Sequence, residues 1–181
     1  FRARVMFPIV RDSGEPVAFG GRILPGSKDP AKYKNSPETA IYAKSKTLYG
    51  LNWAKAEIVT ADEVIVCEGY TDVIGFHRSG VRRAVATCGT ALTEDHVRLL
   101  KRFAKKVVLA FDADSAGQGA AARFYEWEQR YKVEVGVAHF PQGKDPGDLA
   151  NSDPGALAKA VASAQPFLGF RLQRVIDAGS V

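Results

Sequence analysis

Cysteine is scarce: two residues, Cys67 and Cys88, in a chain of 181. Both stand in apolar surroundings, and they fit neither a zinc-ligand spacing nor a disulfide framework. That excludes a small secreted disulfide scaffold and points to a reducing cytoplasm. With three histidines in the whole chain, no His/Cys cluster is available for a zinc site. No apolar run is long enough to cross a membrane, so no membrane contact is expected. No secretory signal is visible, and the opening Phe1-Arg2-Ala3-Arg4 reads as the start of a fragment excised from a longer protein. There is no internal repeat and no low-complexity tract.

What is present is a chain with 46% hydrophobic residues, enough for one compact domain or one domain plus a smaller partner. The net charge of +5 is uneven, because residues 1–60 carry ten Lys/Arg against five Asp/Glu, whereas residues 61–181 carry fifteen of each. A basic lobe beside a neutral one with clustered acids suggests a polyanion held against a metal site. A solvated basic surface is the plainer alternative.

Two styles of sequence meet near residue 60. Before it, Arg4 to Val10 and Pro16 to Leu24 are β-rich runs around a polar turn containing Gly14, which predicts a hairpin. Residues 25–50 read mostly as loop, and Leu51 to Val59 as a short helix. Beyond residue 62, predicted strands at Glu63–Glu68, Ala84–Cys88, Lys106–Phe111 and Val133–Phe140 alternate with helices at Thr71–Ser79, after Thr93 (a candidate cap), and at Ser115–Tyr131. Further helices are expected at Pro154–Ala164 and Phe167–Ile176. The alternation predicts an α/β fold with a parallel sheet, whose ligands bind beyond the carboxyl ends of its strands. The expected organisation is a basic subdomain over 1–60, an α/β domain over 61–150 and a helical segment over 151–181.

Three acidic clusters fall at those strand ends. Glu68 closes the first strand, with Asp72 four residues later. Asp112 and Asp114 follow the apolar run Val107 to Phe111, and residues two apart on an extended segment point the same way. Asp145 and Asp148 follow the last strand. Each cluster alone has a bland explanation: Asp114 or Ser115 as a helix cap, Asp145 and Asp148 as turn residues, Asp72 as a first-turn acid. Together they are harder to dismiss. Carboxylates this close repel one another unless one takes up a proton or a cation intervenes. Hard oxygen ligands favour Mg²⁺ or Mn²⁺.

The stretches Glu68-Gly-Tyr-Thr-Asp72, Asp112-Ala-Asp114 and Lys144-Asp-Pro146 resemble the TOPRIM domain. Arg4-Val-Met-Phe-Pro8, Phe19-Gly-Gly-Arg22, Tyr33-Lys-Asn-Ser-Pro-Glu-Thr39 and Lys46-Thr-Leu-Tyr-Gly50 narrow the resemblance to the bacterial replicative DNA primases. The resemblance implies a TOPRIM-type, mostly parallel sheet flanked by helices, with a smaller β-containing basic subdomain and C-terminal helices. It implies a DNA-directed RNA polymerase making short primers on single-stranded DNA from ribonucleoside triphosphates, bound to an RNA–DNA hybrid product at the replication fork in the cytoplasm. Glu68, Asp112 and Asp114 become catalytic candidates, and with Asp72, Asp145 and Asp148 candidate ligands for Mg²⁺ or Mn²⁺. Arg4, Arg22, Lys32, Tyr33, Asn35, Ser36 and Lys44 become candidates for the template or nucleotide groove. This chain has Asp145-Pro-Gly-Asp148 where the family often has acid-Pro-acid, so Asp148 stands one position further along. The family's zinc-binding domain and its domain for the replicative helicase lie outside this sequence, and no zinc is expected here.

Other residues promise less. His77 and His96 read as surface or partly packed helix histidines, and His139 as structural. Trp53, Trp127 and Tyr70 read as packing residues, while Tyr33 and Tyr42 sit in the basic region where stacking is conceivable. The rivals are a TOPRIM nuclease, a topoisomerase fragment and a non-catalytic single-strand-binding module.

Overall fold

A computed structural model of the protein describes residues 1–111, 120–141 and 144–179. The hairpin forms as expected: β1 (Arg4–Val10) pairs antiparallel with β2 (Pro16–Ile23), and β3 (Tyr33–Asn35) adds to the far side of β2. A 3-10 turn (Lys44–Lys46) leads into β4 (Leu48–Tyr49) and α1 (Leu51–Ala61). Then follow β5 (Glu63–Cys67), α2 (Tyr70–Arg78), β6 (Ala84–Thr87), α3 (Glu94–Leu100), β7 (Lys106–Leu109), α4 (Ala120–Tyr131) and β8 (Glu134–Val137). The chain closes with α5 (Pro146–Ser152), α6 (Pro154–Ala162), β9 (Gln165–Pro166) and α7 (Phe167–Ala178).

The larger sheet runs β4-β6-β5-β7-β8-β9. Its four central strands are parallel, and the two short edge strands are antiparallel. Both faces are covered, as a parallel sheet requires. Strand alternation sorts the core. Val64 and Val66 of β5, Val85 of β6 and Val107 and Leu109 of β7 meet α1, α3, α4 and α7 through Ile58, Leu100, Trp127 and Phe167. Ile65, Cys67, Ala84, Ala86 and Val108 face the other way, against Phe76 of α2, Leu149 of α5, Leu157 of α6 and the hairpin residues Phe7 and Ile9. The small alanines of β6 let α2 lie close.

Two elements depart from the sequence expectation. Residue 60 is not a clean seam, because β4 and α1 already belong to the larger sheet and its flank. Residues 145–148 are not a loop: Asp145 caps α5, its carboxylate accepting the Asp148 N–H at 2.7 Å, with Pro146 in the first turn. Asp followed by Pro is a strong helix start, since the cap supplies an acceptor and proline gives up no needed donor.

The hairpin docks on α2 through aromatic packing. Tyr70 stacks on Phe7 at 5.1 Å and meets Tyr49 edge-on at 4.7 Å. Gly20 lies beneath it, and a Cβ there would stand 2.3 Å from Tyr70 Cε2. The ring is boxed in and cannot yield, so Gly20→Ala is expected to cost about 1–3 kcal/mol by overpacking, read as a lower denaturation midpoint.

Candidate catalytic site and its basic margin

The acids gather around the start of α2. Glu68, exposed, follows β5 directly. Gly69 is extended and caps α2, which brings Asp72 into the first turn. One Asp72 oxygen accepts the Gly69 N–H at 3.2 Å, and the other reaches across to the Gly147 N–H of α5 at 3.1 Å. That bridge depends on close packing of α2 on α5: a Cβ on Gly75 would lie 2.9 Å from the Ala150 side chain. The first and last acidic clusters, far apart in sequence, thereby become neighbours.

Asp72 is 8% exposed. Burial pushes its carboxyl up to about 6; the charges of Asp145 and Glu68 push the same way, while the two backbone N–H groups oppose them. Three carboxyls thus act on one another, which is the electrostatic signature of a site short of positive charge. Among the described residues no group of three or more His, Cys, Asp or Glu could hold a metal ion by itself. Asp112 and Asp114 lie outside the described residues. The nearest described neighbour, Phe111, lines a cavity of about 410 Å³ together with Glu68, Thr87, Gly89, Thr90 and Arg123. The described carboxylates Glu68, Asp72 and Asp145, oxygen donors with mutually repelling charges, fit a hard divalent cation.

A second cavity, of about 210 Å³, joins the lobes: Arg22, Lys32 and Tyr33 face Thr71, Arg78, Asp145 and Asp148 across it. Arg22 stands 6.0 Å over the Tyr33 ring. Other groove candidates fall elsewhere. Asn35 bridges the lobes, its side-chain oxygen accepting Tyr70 Oη–H at 2.7 Å and its amide donating to Cys88 O at 3.4 Å. Ser36 Oγ accepts the Phe19 N–H at 3.0 Å and so ties the strand edge. Lys44 is half-buried, its N–H donating to Glu38.

Arg4 requires correction. Its side chain is fully buried, donating to Gly21 O, Lys32 O and Ala31 O and pairing with Asp29 at 2.9 Å. An arginine so committed straps the Asp29–Lys32 loop to the hairpin and presents nothing to a groove. His96, read as partly packed at best, is fully buried, whereas Trp53 is half-exposed. Arg78, Arg123 and the Gly89–Thr90 stretch also line these cavities, without having stood out in the sequence. The strand-end rule would have found Gly89–Thr90, which follows β6; nothing in the sequence marks the two arginines.

The parallel sheet with acids at its carboxyl edge defines a Toprim domain, and residues 65–150 match the Toprim-like family model. Residues 1–55 match the model for the DNA primase catalytic core, N-terminal domain. A DNA primase of Streptomyces coelicolor is 43% identical over 97% of this chain and 28% of its own length. The RNA polymerase domain of Mycobacterium tuberculosis primase DnaG superposes with a TM-score of 0.86 at 37% identity, over 97% of this chain and 60% of that one. A DnaG primase catalytic domain bound to single-stranded DNA gives 0.84 at 36% identity, over 98% and 57%. This chain belongs to the bacterial DNA primase catalytic-core family. It spans less than a third of the full length of that curated Streptomyces coelicolor relative, and the Toprim primase family is divalent-metal dependent. No helix among the described residues is long and apolar enough to cross a membrane.

Proposed function

We propose that this chain is the polymerising part of a primase, joining ribonucleotides into short RNA primers on single-stranded DNA. The observation that carries the reading is the cavity in which Arg22 and Lys32 of the hairpin lobe face Asp145 and Asp148 of the Toprim lobe. It sets cations for phosphate beside acids that need a cation of their own. In the reaction the 3′-hydroxyl of one ribonucleotide attacks the α-phosphorus of the next, and pyrophosphate leaves. The protein's share is positioning and charge neutralisation. Glu68, Asp72, Asp112, Asp114, Asp145 and Asp148 are the proposed holders of Mg²⁺ or Mn²⁺, which neutralise triphosphate and promote attack when bound. Asp72, in the first turn of α2, and Asp145, the cap of α5, accept backbone N–H groups that aim their oxygens. Arg22, Lys32, Tyr33 and Lys44 are the proposed contacts for template and nucleotide. The replicative helicase would act on parts of the protein outside this chain, in the cytoplasm at the replication fork.

The test uses the full-length protein with a single-stranded template, ribonucleotides and Mg²⁺ or Mn²⁺. Short RNA products are expected. Asp112→Asn should abolish them while leaving DNA binding within about twofold, since phosphate contacts dominate affinity. Shortened DNA in place of RNA would establish a nuclease, and undiminished synthesis by the variant would remove Asp112 from the site.

A further inference from the structure

His96 has no part in the chemistry above, yet its side chain is wholly shielded, at 0% exposure. It sits in the first turn of α3, below the cap Thr93. Its Nδ1 accepts the Thr93 N–H at 3.2 Å, and its Nε2 lies 2.8 Å from Lys44 O. A carbonyl only accepts and an N–H only donates, so the ring is the neutral Nε2–H tautomer. Burial lowers its pKa and favours that neutral form, against the opposing pull of the Lys44 and Thr47 backbone. Beside it, Thr93 Oγ1 donates to Ser45 O at 2.6 Å. Two consecutive carbonyls of the Lys44–Lys46 turn are therefore held from one helix start. The Lys44 N–H is held in turn by Glu38 at 2.9 Å.

The turn that carries Lys44 is bonded to Thr93 and His96, at the helix start that directly follows Gly89–Leu92. Burial raises the Cys88 thiol to about 11, and the nearby Lys44 charge is among the groups pulling it back. Cys88 directly precedes Gly89, Thr90, Ala91 and Leu92, which line the cavity containing Glu68.

We infer that His96 is a positioning residue: by donating to Lys44 O it holds the turn that sets the Lys44 ammonium at the polyanion margin of the acid cluster. The inference rests on the proposed function, which supplies the polyanion. A purely structural role predicts only lost stability when His96 is changed. Acting through Lys44 predicts something more selective.

Two variants separate the ring's two bonds. His96→Gln places an amide nitrogen where Nε2 stands and keeps the donor to Lys44 O. His96→Asn places an oxygen where Nδ1 stands, keeping the bond from Thr93 N–H and losing that donor. Both are made in the full-length protein and measured for melting, for the Kd of a labelled oligo(dT) across a salt series, and for kcat and nucleotide KM. Both variants should melt below wild type. His96→Asn alone should weaken oligo(dT) binding about fivefold and flatten the salt slope by about 0.7, the share of one phosphate contact. Its KM should rise with kcat within about twofold, because uniform binding is lost and no reacting group is touched. His96→Gln should bind as wild type does. Lys44→Ala should reproduce the loss, and adding His96→Asn to it should weaken binding no further. Equal binding by the Asn and Gln variants, or additive losses with Lys44→Ala, would overturn the positioning role alone. Failure of the wild type to bind oligo(dT) would overturn both this role and the proposed function. Should the His96 variants not fold, Thr93→Val, which frees Ser45 O, replaces them and should weaken binding relative to Thr93→Ser; equal binding by that pair overturns the role.

Discussion

Glu68→Gln is expected to reduce primer synthesis by about 10²–10³-fold, the usual cost of removing one preorganised charge from a reacting centre. The substitution keeps size and polarity and removes only the charge. Glu68 follows the central strand β5 and lines the larger cavity, so the backbone that places it is fixed by pairing on both sides. Binding of single-stranded DNA should change by less than about twofold, because the proposed phosphate contacts are cations of the other lobe. Losing the Glu68 charge also removes one of the groups that hold the Asp72 carboxyl up, so Asp72 should titrate lower in the variant. Carbon-detected NMR of the carboxyl would show it. Wild-type synthesis rates would take Glu68 out of the chemistry whatever its position.

The parts of this site that were legible in the sequence are those written locally. The strands of the parallel core are short apolar runs followed by turns, so the place of Glu68 at the end of β5 was legible. Thr93 as a cap was equally local, since its hydroxyl accepts the His96 N–H. What pairs across the fold was not legible. Arg4 looks like any groove arginine until Asp29 and three carbonyls are seen to enclose it. His96 looks like a surface helix residue until the Lys44 turn, fifty-two positions earlier, closes over it. Asp72 and Gly147 share no sequence signal at all; the small Gly75 between α2 and α5 makes their contact possible. The α5 start was written locally, in Asp145-Pro146, and was overlooked because Pro-Gly after an acid also describes a turn.

Between pH 4 and pH 7 the metal-free protein should lose about 2.4 kcal/mol of stability relative to its Asp72→Asn variant. Asp72 titrates at about 6 in the folded chain, against the ordinary value of 3.8. Between those values the folded state binds the extra proton, so stability drops as pH rises and the loss is complete above the folded value. The direction is opposite to that of Asp29, whose carboxyl is held well below the usual range by Lys34, Ala31 and Arg4. Asp29 loses its favourable contribution as pH falls. Taking the difference between wild type and Asp72→Asn cancels Asp29 and every other group outside the cluster. Denaturant midpoints at several pH values would show two diverging curves, and parallel curves would contradict the assignment. Adding Mg²⁺ should close the gap at pH 7 and do little at pH 5. A cation of this kind binds ionised carboxylates, and at a hundred times its Kd it returns about 2.7 kcal/mol to the folded state. Burial, reinforced by the charges of Asp145 and Glu68, costs the fold stability at neutral pH, and a cation held by the ionised carboxylates would offset that cost.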